Sequence, residues 1–381
     1  MKVSLELQPC LKNRSGIGIY TYEISRNLQK FKDLTLCGDI FNFINRNDIY
    51  KDIEGLNFNN KIFTLFPYGV YRRIWHYIPI KYNWLFNDKS DIYHFFNFIV
   101  PPRIKGKVIT TIHDMTYELY PETMHKNNLK RIKDDIEYSV NRADKIITVS
   151  ESSKRDIMKF LNVDESKIEV VYNGVEYDRF NKSYIEVEKS KVREKYNLPK
   201  NYILYMGTLE PRKNIESIIE AFSLFKKENS FINENMKLVI AGKKGWLFES
   251  IFNLVHKLNL KDEVIFTDYV DEADKPLIYN MASLFLFPSL YEGFGIPVLE
   301  AMASSVPVIT SNVSSLPEVS GDAAILAAPK DVKAIAKYMN EILSNEELKN
   351  DLVKKGHAQA KKFTWEASAE KTYNIYKELM Q

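Results

Sequence analysis

The sequence predicts an α/β protein built from two doubly wound domains, and three observations carry that expectation. The chain has 381 residues, which at about 150 residues per domain suggests two. Short apolar runs recur along it, several of them apolar at consecutive positions, as in strands covered on both faces. Each run is followed by a helical pattern, and strands alternating with helices imply parallel sheets with right-handed crossovers.

Taken in order, the strands of the first half are expected near 3–7, 34–40, 61–66, 92–96, 108–113 and 145–149, then 168–172. Asn173-Gly174 follows as a turn signal, and a charged, helix-prone stretch runs up to Pro199. The second half repeats the theme near 202–206, 237–241, 263–267, 283–287 and 306–310. The segment 364–380 reads as an amphipathic helix, with Trp365, Ala369, Tyr373 and Tyr376 near one face. The pattern leaves open whether it closes the second domain or returns to the first.

Composition narrows the function classes. Lys+Arg number 53 against 50 Asp+Glu, a net charge of +3, which argues against a nucleic-acid binder. Cys10 and Cys37 are the two cysteines, too few for a disulfide scaffold or a cysteine-rich zinc site. No apolar run reaches the roughly 18 residues of a membrane span. Met1 to Leu7 reads as a strand, not as a signal peptide, so a cytoplasmic location is expected. No metal is expected: the six His are scattered, and Asp134-Asp135 falls mid-helix as a solvated face. Aromatic residues reach 13%, the one unusual figure.

Four constellations carry candidate chemistry. Tyr291-Glu292-Gly293-Phe294-Gly295-Ile296-Pro297-Val298-Leu299-Glu300 follows a strand and opens a helix. Pro297 suits a first helical turn, the glycines admit a ligand close to backbone amides, and free N–H groups at a helix start attract phosphate. Glu292 and Glu300 are either donor ligands on that turn or surface helix residues. Met206-Gly207-Thr208-Leu209-Glu210-Pro211-Arg212-Lys213-Asn214 is a second strand-to-helix turn. Cations at a helix start oppose its dipole; a diphosphate would explain Arg212 and Lys213, and exposed loop cations are the plain alternative. The loop Asn13-Arg14-Ser15-Gly16-Ile17-Gly18 lacks both the GxGxxG and the P-loop spacing. His113 ends a buried strand, on the edge where open α/β sheets place ligands, and is either a satisfied structural residue or a site residue.

Together these residues resemble family 4 of the retaining glycosyltransferases, over nearly the whole chain. Glu292 and Glu300 match its E-x7-E motif, Gly207 to Asn214 its diphosphate loop, and Val171-Tyr172-Asn173-Gly174-Val175-Glu176 its crossover. Ala143 to Ser150 and Ser314-Ser315-Leu316-Pro317-Glu318 also fit. The resemblance implies the GT-B fold, two Rossmann-like domains around a deep cleft, with residues 1–180 plus 365–381 receiving the acceptor and 181–364 the nucleotide sugar. It implies that Lys213 pairs with donor phosphates, Glu300 with ribose hydroxyls, and Glu292 with the transferred sugar beside the amides of Phe294, Gly295 and Ile296. Gly16 would approach the phosphate, His113 the sugar, and the base would sit near Tyr269 and Val270. Thr208 stands where many members carry Arg, so Arg212 is assigned that charge on its position alone.

The expected reaction is retaining, metal-independent transfer of a hexose from a nucleotide diphosphate sugar to a glycan or lipid-linked acceptor. The Gly-Thr-Leu-Glu-Pro-Arg-Lys-Asn and Thr-Ile-His-Asp wording is most similar to bacterial mannosyltransferases of surface-polysaccharide assembly, favouring GDP-mannose over a UDP-sugar. A GT-B-like phosphorylase, a nucleotide-sugar epimerase and a non-catalytic sugar-binding protein are the alternatives. Residues 66–86 hold eight aromatics with Arg72, Arg73, His76 and Lys81 among them. They either pack the first domain or dock a membrane surface.

Overall fold

The computed structural model describes residues 1–11, 16–43, 49–227 and 234–381. The chain divides into two units, Met1–Gly174 with Trp365–Gln381, and Val175–Thr364. Residues 175–180, expected in the first domain, thus fall in the second. There Phe180 meets Tyr279 edge-on at 5.9 Å, and Arg179 reaches the carbonyl of Glu272.

The first unit holds seven strands: β1 Lys2–Glu6, β2 Thr35–Phe41, β3 Asn59–Phe63, β4 Ile92–Phe95, β5 Lys107–Thr111, β6 Lys145–Thr148 and β7 Ile168–Val170. Their order is β3-β2-β1-β4-β5-β6-β7, with every pairing parallel. The second unit holds six: β8 Tyr202–Met206, β9 Lys237–Ala241, β10 Val264–Asp268, β11 Leu284–Phe287, β12 Val308–Ser311 and β13 Ile325–Ala327. Their order is β10-β9-β8-β11-β12-β13, again all parallel. Every residue of β4, β8, β11 and β12 is buried, as consecutive apolar runs require when helices cover both faces. The sequence pattern does not anticipate β13, which is three residues long and bordered by alanines.

Each sheet reverses its direction of winding once, between β1 and β4 and between β8 and β11. At such a point the two connections leave toward opposite faces, and a crevice opens at the carboxyl ends of the strands. The helix Trp365–Met380 belongs to the first unit, so of the two readings left open by its pattern the return holds. Tyr373 stacks on Phe31 at 4.2 Å, and the buried Tyr376 hydroxyl lies 2.6 Å from His94 Nδ1.

One surface expectation is corrected, and the aromatic stretch 66–86 divides between core and surface. Asp135 is buried, not solvated, with its carboxylate 2.8 Å from both Arg72 Nη2 and His76 Nε2. Only Asp134 of that pair faces water. Of the eight aromatics in 66–86, Tyr71, Trp75, Tyr82 and Phe86 are core. Tyr71 meets Trp75 edge-on at 5.4 Å and Phe41 stacked at 5.7 Å, geometries that add roughly 0.5–1.5 kcal/mol beyond burial. Tyr77 and Trp84 stay outside, at 85% and 67% exposure, with Leu65 and Ile78 exposed nearby.

Candidate active site

The crevice between β8 and β11 is framed by the loop after each strand, and hydrogen bonds lock the two together. Leu290 N–H donates to the Arg212 carbonyl at 2.9 Å, and Arg212 Nη1 donates to the Tyr291 carbonyl at 2.6 Å. The side chain of Asn214, a residue at φ +56°, donates to the carbonyls of Pro288 at 2.9 Å and Pro329 at 2.6 Å. From the far side, Glu292 N–H donates to Ser314 Oγ at 3.0 Å. Ser315 Oγ lies 2.9 and 2.8 Å from the carbonyls of Glu292 and Phe294.

This scaffold brings three candidate residues into contact. Glu292 Oε1 lies 2.6 Å from Lys213 Nζ, and Oε2 lies 2.9 Å from Arg212 Nη1. Arg212 Nη2 also pairs with Glu210 at 2.7 Å. Burial alone would push the Glu292 carboxyl up; the two neighbouring cations outweigh it and hold the group down at about 2. Arg212 and Lys213 sit on a short turn, Pro211–Lys213, ahead of the helix Ile215–Lys227. Their charge at a helix start therefore has partners within the chain, Glu292 and Glu210, and needs no outside anion to account for it.

The helix Ile296–Ala303 begins at Gly295, whose φ of +116° is open to glycine and strained for other residues. A Cβ there would also fall 2.7 Å from Leu316 Cδ2. Glu300, one turn along, does not join the charged cluster. It is buried and accepts a hydrogen bond from Tyr279 at 3.0 Å. Burial pushes its carboxyl up, against the pull of Lys275. Tyr269 and Val270 follow β10, two strands from β8 on the same edge, Tyr269 exposed and Val270 buried.

Gly207 begins the β8 loop, and its carbonyl would lie 1.9 Å from a Cβ on Gly242, which follows β9 at φ +144°. Leu209 N–H then donates to the Lys243 carbonyl, and Gly245 N–H to that of Leu209, both at 3.0 Å. The loop Gly242-Lys243-Lys244-Gly245 thus supports the diphosphate-type loop, and sequence reasoning missed it. Two lysines between glycines at a strand end were the available signal. Tyr279 and Lys275, the neighbours of Glu300, gave none.

In the first unit, Gly16 opens the helix Gly16–Leu28 and is exposed, and a Cβ added to it would meet nothing within 4 Å. Asn13, Arg14 and Ser15 of its loop lie outside the described residues. His113 follows β5 and is buried. Its Nε2 lies 2.8 Å from the Phe96 carbonyl, an acceptor, so Nε2 carries the proton and Nδ1 the lone pair. Burial lowers its pKa and keeps the ring neutral. Its own carbonyl accepts from Ser153 Oγ at 3.1 Å. Among the described residues, no group of three or more His, Cys, Asp or Glu is placed to hold a metal ion.

Comparison with known proteins agrees with this architecture. The Glycosyltransferase Family 4 model matches residues 14–179, and the model described as Glycosyl transferases group 1 matches 186–359. O-antigen chain mannosyltransferase B of Escherichia coli is 32% identical over 385 residues, covering 99% of this chain and 100% of that protein. Among solved structures, sucrose-phosphate synthase from Thermosynechococcus elongatus superposes with a TM-score of 0.77 at 18% identity, over 100% of this chain and 99% of that one. Alr3699/HepE of Anabaena, in complex with UDP and glucose, gives 0.73 at 16% identity over 99% of each. These likenesses show the GT-B fold. The chain therefore belongs to the family 4 glycosyltransferases, and is an enzyme of the hexosyltransferase class.

Proposed function

We propose that this enzyme moves mannose from GDP-mannose, with retention, onto a hydroxyl of a growing surface polysaccharide, and that it needs no metal. The observation that carries the reading is the buried Glu292 bridging Lys213 and Arg212 beside the Gly295-started helix. It keeps two cations side by side where a diphosphate would lie. An entering diphosphate competes with Glu292 for them and frees its carboxylate for the hydroxyls of the transferred sugar. As the bond from the anomeric carbon to phosphate breaks, Lys213, Arg212 and the amides of Phe294, Gly295 and Ile296 stabilise the growing charge. The acceptor oxygen bonds to the same face of that carbon, and its proton passes to the departing phosphate oxygen. Glu300 takes the ribose hydroxyls, Tyr269 and Val270 flank the base, and Gly207 keeps the loop backbone close to the phosphates. Gly16 is assigned to a donor phosphate and the Nδ1 side of His113 to the sugar.

Mannose as the sugar rests on the E. coli relative's name, and GDP on the wording of the Gly207 and His113 motifs. A UDP-sugar is the competing donor, as a neighbour of the same fold is described with UDP. A thermal-shift panel decides: GDP and GDP-mannose are expected to raise the melting temperature more than UDP- or ADP-sugars at equal concentration, because a ligand stabilises the state it binds. A larger shift with UDP-sugars overturns the GDP assignment.

For the acceptor we propose a lipid-linked glycan reached by peripheral contact of 66–86 with the cytoplasmic membrane face. No helix among the described residues is long and apolar enough to cross a membrane. Tyr77, Ile78 and Trp84 are exposed, with Lys81 Nζ 4.7 Å from the Trp84 ring, and such mixed aromatic and basic surfaces suit headgroups. Co-sedimentation with anionic vesicles is expected for the wild type, and a several-fold loss for Tyr77→Ala/Trp84→Ala. Absence of wild-type binding at low salt overturns the contact.

A further inference from the structure

We infer that a separate pocket in the first unit, lined by Glu6, Tyr68, Asn97, Ile99 and Arg131, binds one neutral pyranose ring. The inference deepens the proposed function, on which it rests for making that ring part of the acceptor. The pocket encloses about 170 Å³, below the roughly 300–1,000 Å³ of sites that engulf larger ligands, so it suits a sugar ring better than a nucleotide. It lies where the first sheet reverses. Glu6 ends β1, Asn97 and Ile99 follow β4, Tyr68 belongs to the helix Tyr68–Ile74, and Arg131 to the helix Lys126–Arg142.

Two polar atoms of its lining lack partners. Arg131 Nε and Asn97 Oδ1 are buried without a hydrogen bond, and among the described residues Arg131 forms no ion pair. Such groups are costly unless something satisfies them. Glu6 is buried, and desolvation pushes its carboxyl up to about 8 despite the Gln8 N–H and Arg131. At neutral pH it is therefore mostly an acid that both donates and accepts. The pocket thus offers donors and acceptors against apolar Ile99 and Pro9, the mixture that vicinal hydroxyls need. An anion fits poorly. Arg72, the other guanidinium in the lining, is committed to Asp135 and to the Arg131 carbonyl, which leaves one available cation beside a carboxyl group.

The test uses the full chain, with methyl α-mannoside, methyl α-glucoside and inorganic phosphate as probes in ligand-observed NMR, beside Arg131→Met and Asn97→Leu. Saturation transfer to at least one glycoside is expected for the wild type, with affinity at least tenfold weaker in both variants. Both variants are expected to melt at or above the wild-type temperature, because each removes an unsatisfied buried group. A purely structural role predicts lower melting temperatures and unchanged glycoside binding, and that result overturns the inference. So does a wild type that binds neither glycoside, or one from which phosphate displaces them. If glycoside binding follows the expected pattern while no nucleotide sugar is turned over, the pocket stands and the proposed function falls. Normal turnover with equal glycoside binding in all three proteins has the reverse meaning.

Discussion

Glu292→Gln lowers kcat/KM for glycosyl transfer by about 10²–10³-fold, the size of losing one charge-stabilising contact in a transition state, while GDP binds at least as tightly as to the wild type. The two effects diverge because Glu292 holds both Lys213 and Arg212. Removing its charge frees the cations for a diphosphate but withdraws the carboxylate proposed to hold the sugar. A transfer rate within threefold of wild type would exclude Glu292 from the sugar site. The same variant loses stability at neutral pH, about 3 kcal/mol, because the partly buried Lys213 loses its carboxylate while Arg212 keeps Glu210 and the Tyr291 carbonyl. The pH dependence has a definite sign. The Glu292 carboxyl titrates near 2 in the folded chain, below its ordinary 4.5, so its contribution is complete above pH 4.5 and vanishes as pH falls toward 2. The shift corresponds to about 3 kcal/mol. Urea midpoints measured from pH 6 down to 2 should therefore fall more steeply for the wild type than for Glu292→Gln.

The fold was legible wherever burial is two-sided. Tyr202–Met206 and Lys237–Ala241 coincide with their apolar runs because every position but Lys237 is buried. β3 begins instead at Asn59, two residues before its apolar run, since Asn59 and Asn60 pair by backbone with Cys37 and Gly38. Backbone pairing leaves no hydrophobic trace. The site was legible as loops and not as contacts. Both motifs stand at strand ends, but the Lys213–Glu292 pair spans 79 positions, and neither motif by itself says that the loops interlock. Asp135 shows the same limit on a smaller scale. Adjacent acids on a helix look alike in sequence, yet one turns inward because Arg72 and His76, about sixty positions earlier, supply its partners. The aromatic surplus divides similarly, into a core share led by Tyr71 and Trp75 and an exposed share at Tyr77 and Trp84.

Gly242→Ala is expected to destabilise the second unit by about 4 kcal/mol or more, because two separate penalties add. At φ +144° a side chain costs of order 1–3 kcal/mol in backbone strain, and its Cβ would sit 1.9 Å from the Gly207 carbonyl oxygen. Overpacking of that kind adds a further 1–3 kcal/mol or more, and the obstacle is backbone, which cannot rotate away. Both sides are pinned: Gly207 N–H donates to the Ala241 carbonyl, and Gly242 N–H to that of Asp268, each at 2.9 Å. Relief must come from moving the β8 loop, and that loop carries Arg212 and Lys213. For a unit of this size the loss lowers the melting temperature by roughly 8–16 °C, and transfer activity falls even at temperatures where the variant is folded. Melting within 2 °C of wild type would refute the close approach. Gly16→Ala supplies the contrast. Outside its chain neighbours and its own helix backbone, no atom of the described chain lies within 4 Å of a Cβ at that position, and alanine is the better helix former, so the melting temperature should hold or rise. If transfer nevertheless drops about tenfold, the need for glycine at position 16 comes from the donor and not from packing, whereas at position 242 it comes from packing first and reaches the donor through the loop it supports.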